Sequence, residues 1–168
     1  RSRGLGDVYK RQAVMRAALA AVKERHGEAI KEHFDVEIAV PENPFPRIPL
    51  LEAREIVQSR GHKFERNDLD MDPEGEREIG RWALEEHGSE FVFLTDYPMS
   101  IRPFYHMKHE DDPTLTNSYD LIWNGVEIST GAQREHRIDV LTEQIGEKGM
   151  DADEPVSYTH LTLPTICS

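Results

Sequence analysis

The chain has 168 residues, with 20 basic against 32 acidic side chains, a formal charge of −12 and 38% hydrophobic content. That balance suits one globular domain with an acidic, solvated surface. No apolar run reaches the roughly 18 residues a membrane span needs, and a net negative surface lacks the basic stripe of a dedicated nucleic-acid-binding domain.

Both ends carry the signature of one DNA element. Asp7 to Gln12, DVYKRQ, back-translates to a stretch whose reverse complement, read in another frame, encodes Val156 to His160, VSYTH. The pair forms an inverted repeat resembling the mosaic end of a sequencing-library transposon, and RSRGLG and LTLPT read as its flanking arms. Residues 1–12 and 156–168 are therefore expected to be adapter-derived and residues 13–155 native, with Pro155 at the junction. Setting aside Arg1, Arg3, Lys10, Arg11 and Asp7 leaves 16 basic and 31 acidic residues, a charge of −15. The only cysteine, Cys167, falls in the distal arm, so no disulfide or thiolate chemistry is expected and a reducing cytoplasm is the expected location. A reading frame bounded by adapters is expected to be an internal piece of a longer protein.

In chain order, Ala13 to His33 reads as an amphipathic helix with Val14, Ala18, Ala21, Val22 and Ile30 on its apolar face. Phe34 to Val40 is β-prone, and Pro41, Pro44, Pro46 and Pro49 predict a rigid loop. Leu50 to Arg60 predicts a second helix stopped by Gly61. Asp72-Pro73-Glu74 is a helix start, with Asp as N-cap, Pro in the first position and acids in the first turn, and the helix closes at His87-Gly88. Strands are predicted at Phe91 to Leu94, Phe104 to Met107, Ser118 to Trp123 and Val126 to Ala132. Asn124-Gly125 makes the last two an antiparallel hairpin. A final helix covers Ile138 to Lys148, closed by Gly149. Helices followed by a meander indicate an α+β fold with an antiparallel sheet.

The chemistry concentrates in Ser118 to Arg137, SYDLIWNGVEISTGAQREHR. Glu127 lies inside a strand, where a buried carboxylate needs a cation or several donors. Thr130-Gly131-Ala132 allows close approach to the backbone, Arg134 can grip a carboxylate with two hydrogen bonds, and Asp120 can accept from an amine. Together they suit a ligand with anionic and cationic groups, such as an amino acid with a nucleotide polyphosphate. Taken singly, each is more often an exposed strand charge or a structural ion pair. Strict alternation places Thr130 and Arg134 on one face and Glu127 on the other, so a shared site requires a break in the ladder, expected near Gly131. His106 and His109, three residues apart on a strand end, should diverge, favouring a solvated loop over a metal cluster. Trp82 and Trp123 read as packing residues, and Asp68 to Glu78 lacks the glycine and terminal glutamate of a calcium loop.

GVEISTGAQREH, with FVFLTDYP, RPFY and SYDL upstream, resembles the aspartyl-tRNA synthetases, class II aminoacyl-tRNA synthetases, and among them the archaeal-type branch. The resemblance spans nearly all of residues 13–154, as the part of the catalytic domain between motifs 2 and 3. It implies a fragment of the class II antiparallel sheet with flanking helices. It implies that Glu127 binds ATP through Mg2+, that Thr130 touches Mg2+ and the aspartate substrate, and that Arg134 clamps the substrate's side-chain carboxylate. Glu127 and Arg134 are thus the expected catalytic pair, while Asp120 and Arg102 match polar positions lining the amino-acid pocket. Thr130 stands where serine is commoner, and Arg102 where some members carry lysine. The implied reaction is activation of L-aspartate by ATP to aspartyl-adenylate, then transfer to tRNA, in a homodimeric parent without membrane attachment. The motif 2 and motif 3 arginines and the anticodon-binding domain lie outside this segment, so the segment alone is expected to be inactive. An asparagine synthetase on the same core, passing aspartate to ammonia, and a non-catalytic paralogue are the alternatives.

Overall fold

A computed structural model describes residues 3–64 and 69–150. The distal stretch 156–168 and Asp68 therefore lie outside the described residues. The elements are α1 (Arg3–Phe34), β1 (Arg47–Pro49), α2 (Leu50–Ser59), α3 (Pro73–His87), β2 (Phe91–Thr95), a 3-10 turn (Met99–Ile101), β3 (Ser118–Trp123), β4 (Val126–Ala132) and α4 (Ile138–Glu147). The sheet runs β1-β2-β3-β4. It is antiparallel from β2 to β4, as predicted, but β1 pairs with β2 in parallel, so the α+β fold carries a mixed sheet. The prolines around β1 suggest only a loop. Pairing survives because β1 is a short edge strand, where a missing N–H is tolerated.

Alternation along β2 and β3 divides the core. Phe91, Phe93, Tyr119 and Leu121 face α1 and Phe45. Val92, Leu94 and Ile122 face α2 and α3 through Ala53, Val57, Ile79 and Ala83. Phe45 stacks on Phe91 at 4.5 Å between centroids, and Phe91 on Trp123 at 5.3 Å. α1 is longer than predicted and buries Val8 and Gln12, whereas Val14 and Val22 are exposed. The side-chain amide oxygen of Gln12 accepts from the Phe45 N–H at 3.1 Å, fixing the helix to the proline-rich segment.

The caps of α3 follow the sequence: Asp72 accepts from the Gly75 N–H at 2.7 Å, Pro73 opens the helix, and Gly88 closes it at φ 61°. Two expected strands are absent. Phe34 to Val40 has no ladder partner, and Asp35 enters the left-handed region at φ 52°. Phe104 to Met107 makes only an isolated bridge, His106 to Arg134, because Pro103 folds the chain back and its carbonyl accepts from the His106 N–H.

α3 meets the hairpin turn backbone to backbone. A Cβ on Gly80 would stand 2.7 Å from the Gly125 nitrogen, and one on Gly125 would stand 2.7 Å from the Arg77 Cα. Gly125 also sits at φ 77°. Overpacking of this kind costs about 1–3 kcal/mol, so Gly80→Ala should lower the unfolding free energy from urea titration by that amount, whereas Gly27→Ala on the open side of α1 should not.

Candidate active site

The hairpin sets the site. Asn124 and Gly125 turn at φ 49° and 77°, the paired positive values of a two-residue I′ turn. From there the ladder runs Trp123 to Val126 and Ile122 to Glu127, and then Leu121 pairs with Ser129, leaving Ile128 as the extra residue. The expected break exists, but at Ile128 rather than near Gly131. It shifts the alternation by one, so Glu127 (opposite Ile122) and Thr130 (opposite Asp120) lie on one face. That face looks toward α2 and α3. Gly131 faces the other way, and the group that approaches it is the Tyr119 ring, whose atoms would lie 2.5 Å from a Cβ there.

Asp120 is buried at the centre of this face. Its Oδ2 accepts from an Arg102 terminal nitrogen at 2.6 Å, while its Oδ1 is buried without a partner of normal geometry among the described residues and the carboxyl stands beside the Tyr97 hydroxyl. Arg102 leaves the 3-10 turn and lies on the Tyr97 ring, 3.6 Å from the centroid, with its Nε also unpartnered. Burial, and then the charge of Asp120, push the Tyr97 phenol far up. Arg102 and Asp120 are thus brought together as a pair, with one acceptor and one donor of the pair left over.

Glu127 is exposed, not buried in the strand. The expectation of a costly buried carboxylate is corrected: the hairpin is a sheet edge, so water reaches the side chain. Its carboxyl is nevertheless pushed up, first by partial loss of hydration and then by the charges of Asp120 and Glu76. Glu76, in the first turn of α3, accepts from the Glu127 N–H at 3.2 Å and is likewise pushed up, chiefly by desolvation. Glu76 was invisible from the sequence beyond its place as a helix-start acid, because its partner is far along the chain.

Arg134 follows β4, and its guanidinium lies 4.8 Å from the centre of the Tyr105 ring; among the described residues it makes no ion pair. Its backbone bridges His106, which ties the chain after β4 to the segment before β3. Glu135 next to it turns inward and is fully buried, accepting from Arg137 at 2.7 and 3.0 Å and from the N–H groups of His136 and Arg137 at 2.9 Å. Gln144 of α4, fully buried, donates to the carbonyls of Phe104 and His106 and pins the opposite wall. Neither residue has a local sequence signal.

The two histidines diverge as expected. His109 meets Asp96 at 3.1 Å, His106 turns into the interior, and among the described residues no three His, Cys, Asp or Glu side chains converge as a metal cage. A divalent cation still fits the donor set in another way. Hard cations such as Mg2+ take one or two protein carboxylates and fill the remaining positions from phosphates and water. Glu127, beside the acids Asp120 and Glu76, and the exposed Thr130 on the same face are donors of that kind.

The hydrogen bonds from Arg137 hold the Glu135 carboxyl down to about 2, against an ordinary value of 4.5. A depressed carboxyl stabilises the fold above its unfolded value and loses that contribution as pH falls toward the folded one. Stability should therefore drop between pH 4.5 and about 2, and Glu135→Gln should flatten that limb in urea titrations across pH.

The family described as tRNA synthetases class II (D, K and N) matches residues 7–163. The aspartate–tRNA(Asp/Asn) ligase of Aeropyrum pernix is 44% identical over 138 residues, covering 81% of this chain and 31% of that protein. The aspartate–tRNA(Asp) ligase of Pyrococcus abyssi is 43% identical over 132 residues, covering 79% and 30%. Among solved structures, the aspartyl-tRNA synthetase of Entamoeba histolytica superposes with a TM-score of 0.83 at 27% identity, covering 95% of this chain and 33% of that one. The asparaginyl-tRNA synthetase of Pyrococcus horikoshii complexed with asparaginyl-adenylate gives 0.77 at 30% identity, covering 92% and 35%. The chain spans about a third of the length of these relatives.

Proposed function

The chain belongs to the class II tRNA synthetases of the D, K and N type, and we propose that it is an internal segment, native over residues 13–155, of a cytoplasmic, homodimeric aspartate–tRNA ligase. The observation that carries this reading is the bulge at Ile128, which gathers Glu127, Thr130 and Asp120 on one face with Arg102 and Arg134 at its border. The names of the most similar relatives support aspartate as the amino acid.

The substrate's two carboxylates need different treatment. The Arg134 guanidinium, free of acid partners among the described residues, holds the side-chain carboxylate with two parallel hydrogen bonds. The free Asp120 Oδ1 accepts from the α-ammonium, while Arg102 keeps Oδ2 fixed. The α-carboxylate is then left unclamped to attack the α-phosphate of ATP, with pyrophosphate leaving and aspartyl-adenylate forming. The terminal ribose hydroxyl of tRNA next attacks the adenylate's carbonyl carbon, giving up its proton, and the bond to the phosphate oxygen breaks so that AMP leaves as the ester forms. Glu127 and Thr130 would hold Mg2+, whose chemistry is to offset phosphate charge as pyrophosphate departs. Such a reaction gains most from positioning and charge neutralisation.

The test is aspartate-dependent ATP–pyrophosphate exchange by the full-length protein that carries this segment. Wild type should exchange only with a divalent cation present. Arg134→Ala should lower kcat/KM for aspartate by about 100-fold or more, as loss of a bidentate charge pair implies, and Glu127→Gln should raise the Mg2+ requirement with a smaller effect on KM for aspartate. The isolated chain should show no exchange. Exchange driven by another amino acid, or none in the full-length protein, would overturn the reading.

A further inference from the structure

Among the described residues, four buried polar atoms around the candidate site lack partners: Asp120 Oδ1, Arg102 Nε, His106 Nδ1 and Gln144 Oε1. The aspartate–tRNA ligase reading employs the Asp120–Arg102 pair but leaves His106 without a task. This residue is 8% exposed, and its backbone is fixed on both sides, with its N–H donating to the Pro103 carbonyl and its own carbonyl accepting from Gln144 at 3.1 Å. Its ring meets the Tyr105 ring edge-on at 5.0 Å.

The bridge to Arg134 decides where the ring stands. Directly opposed residues of an antiparallel pair put their side chains on the same side, with Cβ atoms about 5 Å apart. His106 therefore starts from the same side as Arg134, whose guanidinium lies 4.8 Å from the centre of the adjacent Tyr105 ring, and Arg134, Arg102 and Asp120 all lie within electrostatic reach of the imidazole. Burial, with help from the two guanidiniums, pushes the imidazole down to about 4, so the ring is neutral at physiological pH and one nitrogen carries a proton. A buried ring nitrogen left unpaired loses free energy that a ligand group can return.

We propose that His106 is a specificity-determining residue of the amino-acid pocket, donating from Nδ1 to the same substrate side-chain carboxylate that Arg134 holds. The inference rests on the aspartate-activation reading. A neutral donor engages a remaining lone pair of the carboxylate without adding a further cation beside two guanidiniums. It also opposes asparagine, whose amide NH2 would meet an N–H head on unless the ring changed tautomer.

The experiment is steady-state pyrophosphate exchange by the full-length protein, with aspartate and ATP varied separately, asparagine as competing inhibitor, and thermal unfolding of each variant. His106→Asn keeps a donor where Nδ1 stands, His106→Gln moves it to the Nε2 place, and His106→Ala removes it. His106→Ala and His106→Gln should raise KM for aspartate about tenfold and strengthen asparagine inhibition relative to aspartate, with kcat and KM for ATP unchanged within about twofold, and His106→Asn should recover most of the loss. Unchanged KM in His106→Ala overturns the proposal, as do equal losses in all three variants or losses that track unfolding temperature. If His106→Ala does not fold, equal behaviour of His106→Asn and His106→Gln overturns it. Wild-type exchange alongside a failed variant series sinks this assignment alone; no aspartate-dependent exchange in wild type sinks it together with the ligase reading.

Discussion

A single extra residue, Ile128, sets the geometry of everything around it. Were the β3–β4 ladder regular, Glu127 and Thr130 would lie on opposite faces of the sheet, one toward α1 and the other toward α3. The register shift between Leu121 and Ile122 turns them to the same side, over Asp120. β4 is the edge strand of the sheet, so Glu127 remains exposed on that face. The hairpin is fixed from outside as well. The Gly80–Gly125 contact brings α3 within reach of the strand, and Glu76 takes the Glu127 N–H. A strand that is irregular by design is thus braced by a helix held at the closest approach a backbone permits.

Charge balance on that face is incomplete in a directional way. Arg102 satisfies half of Asp120, Glu76 and Glu127 repel one another, and among the described residues Arg134 stands without an acid. Buried polar groups are ordinarily satisfied, and leftover donors and acceptors grouped in one place mark where a ligand completes the network. An amino acid with two carboxylates and an ammonium, arriving with a triphosphate and its cation, has the complementary pattern. The acids at one end would meet the cation and the ammonium; the guanidinium and imidazole at the other would meet a carboxylate.

Much of the candidate site comes from segments with little regular structure. Phe104 to Met107 lacks a continuous ladder and is held by Gln144 from α4, and the chain after Arg134 is held by the buried Glu135. Such braces position loop residues by hydrogen bonds to their backbone, which keeps the side chains free for a ligand. They also explain why the segment between β2 and β3 supplies so much of the site while forming only a 3-10 turn and isolated bridges.

Local rules read much of this fold directly. Asp72, Pro73 and Gly88 bound α3; Asn124-Gly125 makes the hairpin; Phe91 to Leu94 is a buried strand. In each case the cause lies within a few residues of its effect. The roles proposed for Glu127, Thr130, Arg134, Asp120 and Arg102 come from a motif resemblance and not from such local rules. The parallel edge strand at Arg47–Pro49, the bulge at Ile128, the Glu76 bond to a strand 51 residues away and the place of His106 beside Arg134 were decided only by tertiary structure. Sequence determines which groups are present and how the backbone turns near them. Which groups face one another depends on ladder register and helix docking, set by the packing of distant segments, and a shift of one residue there reverses every side chain.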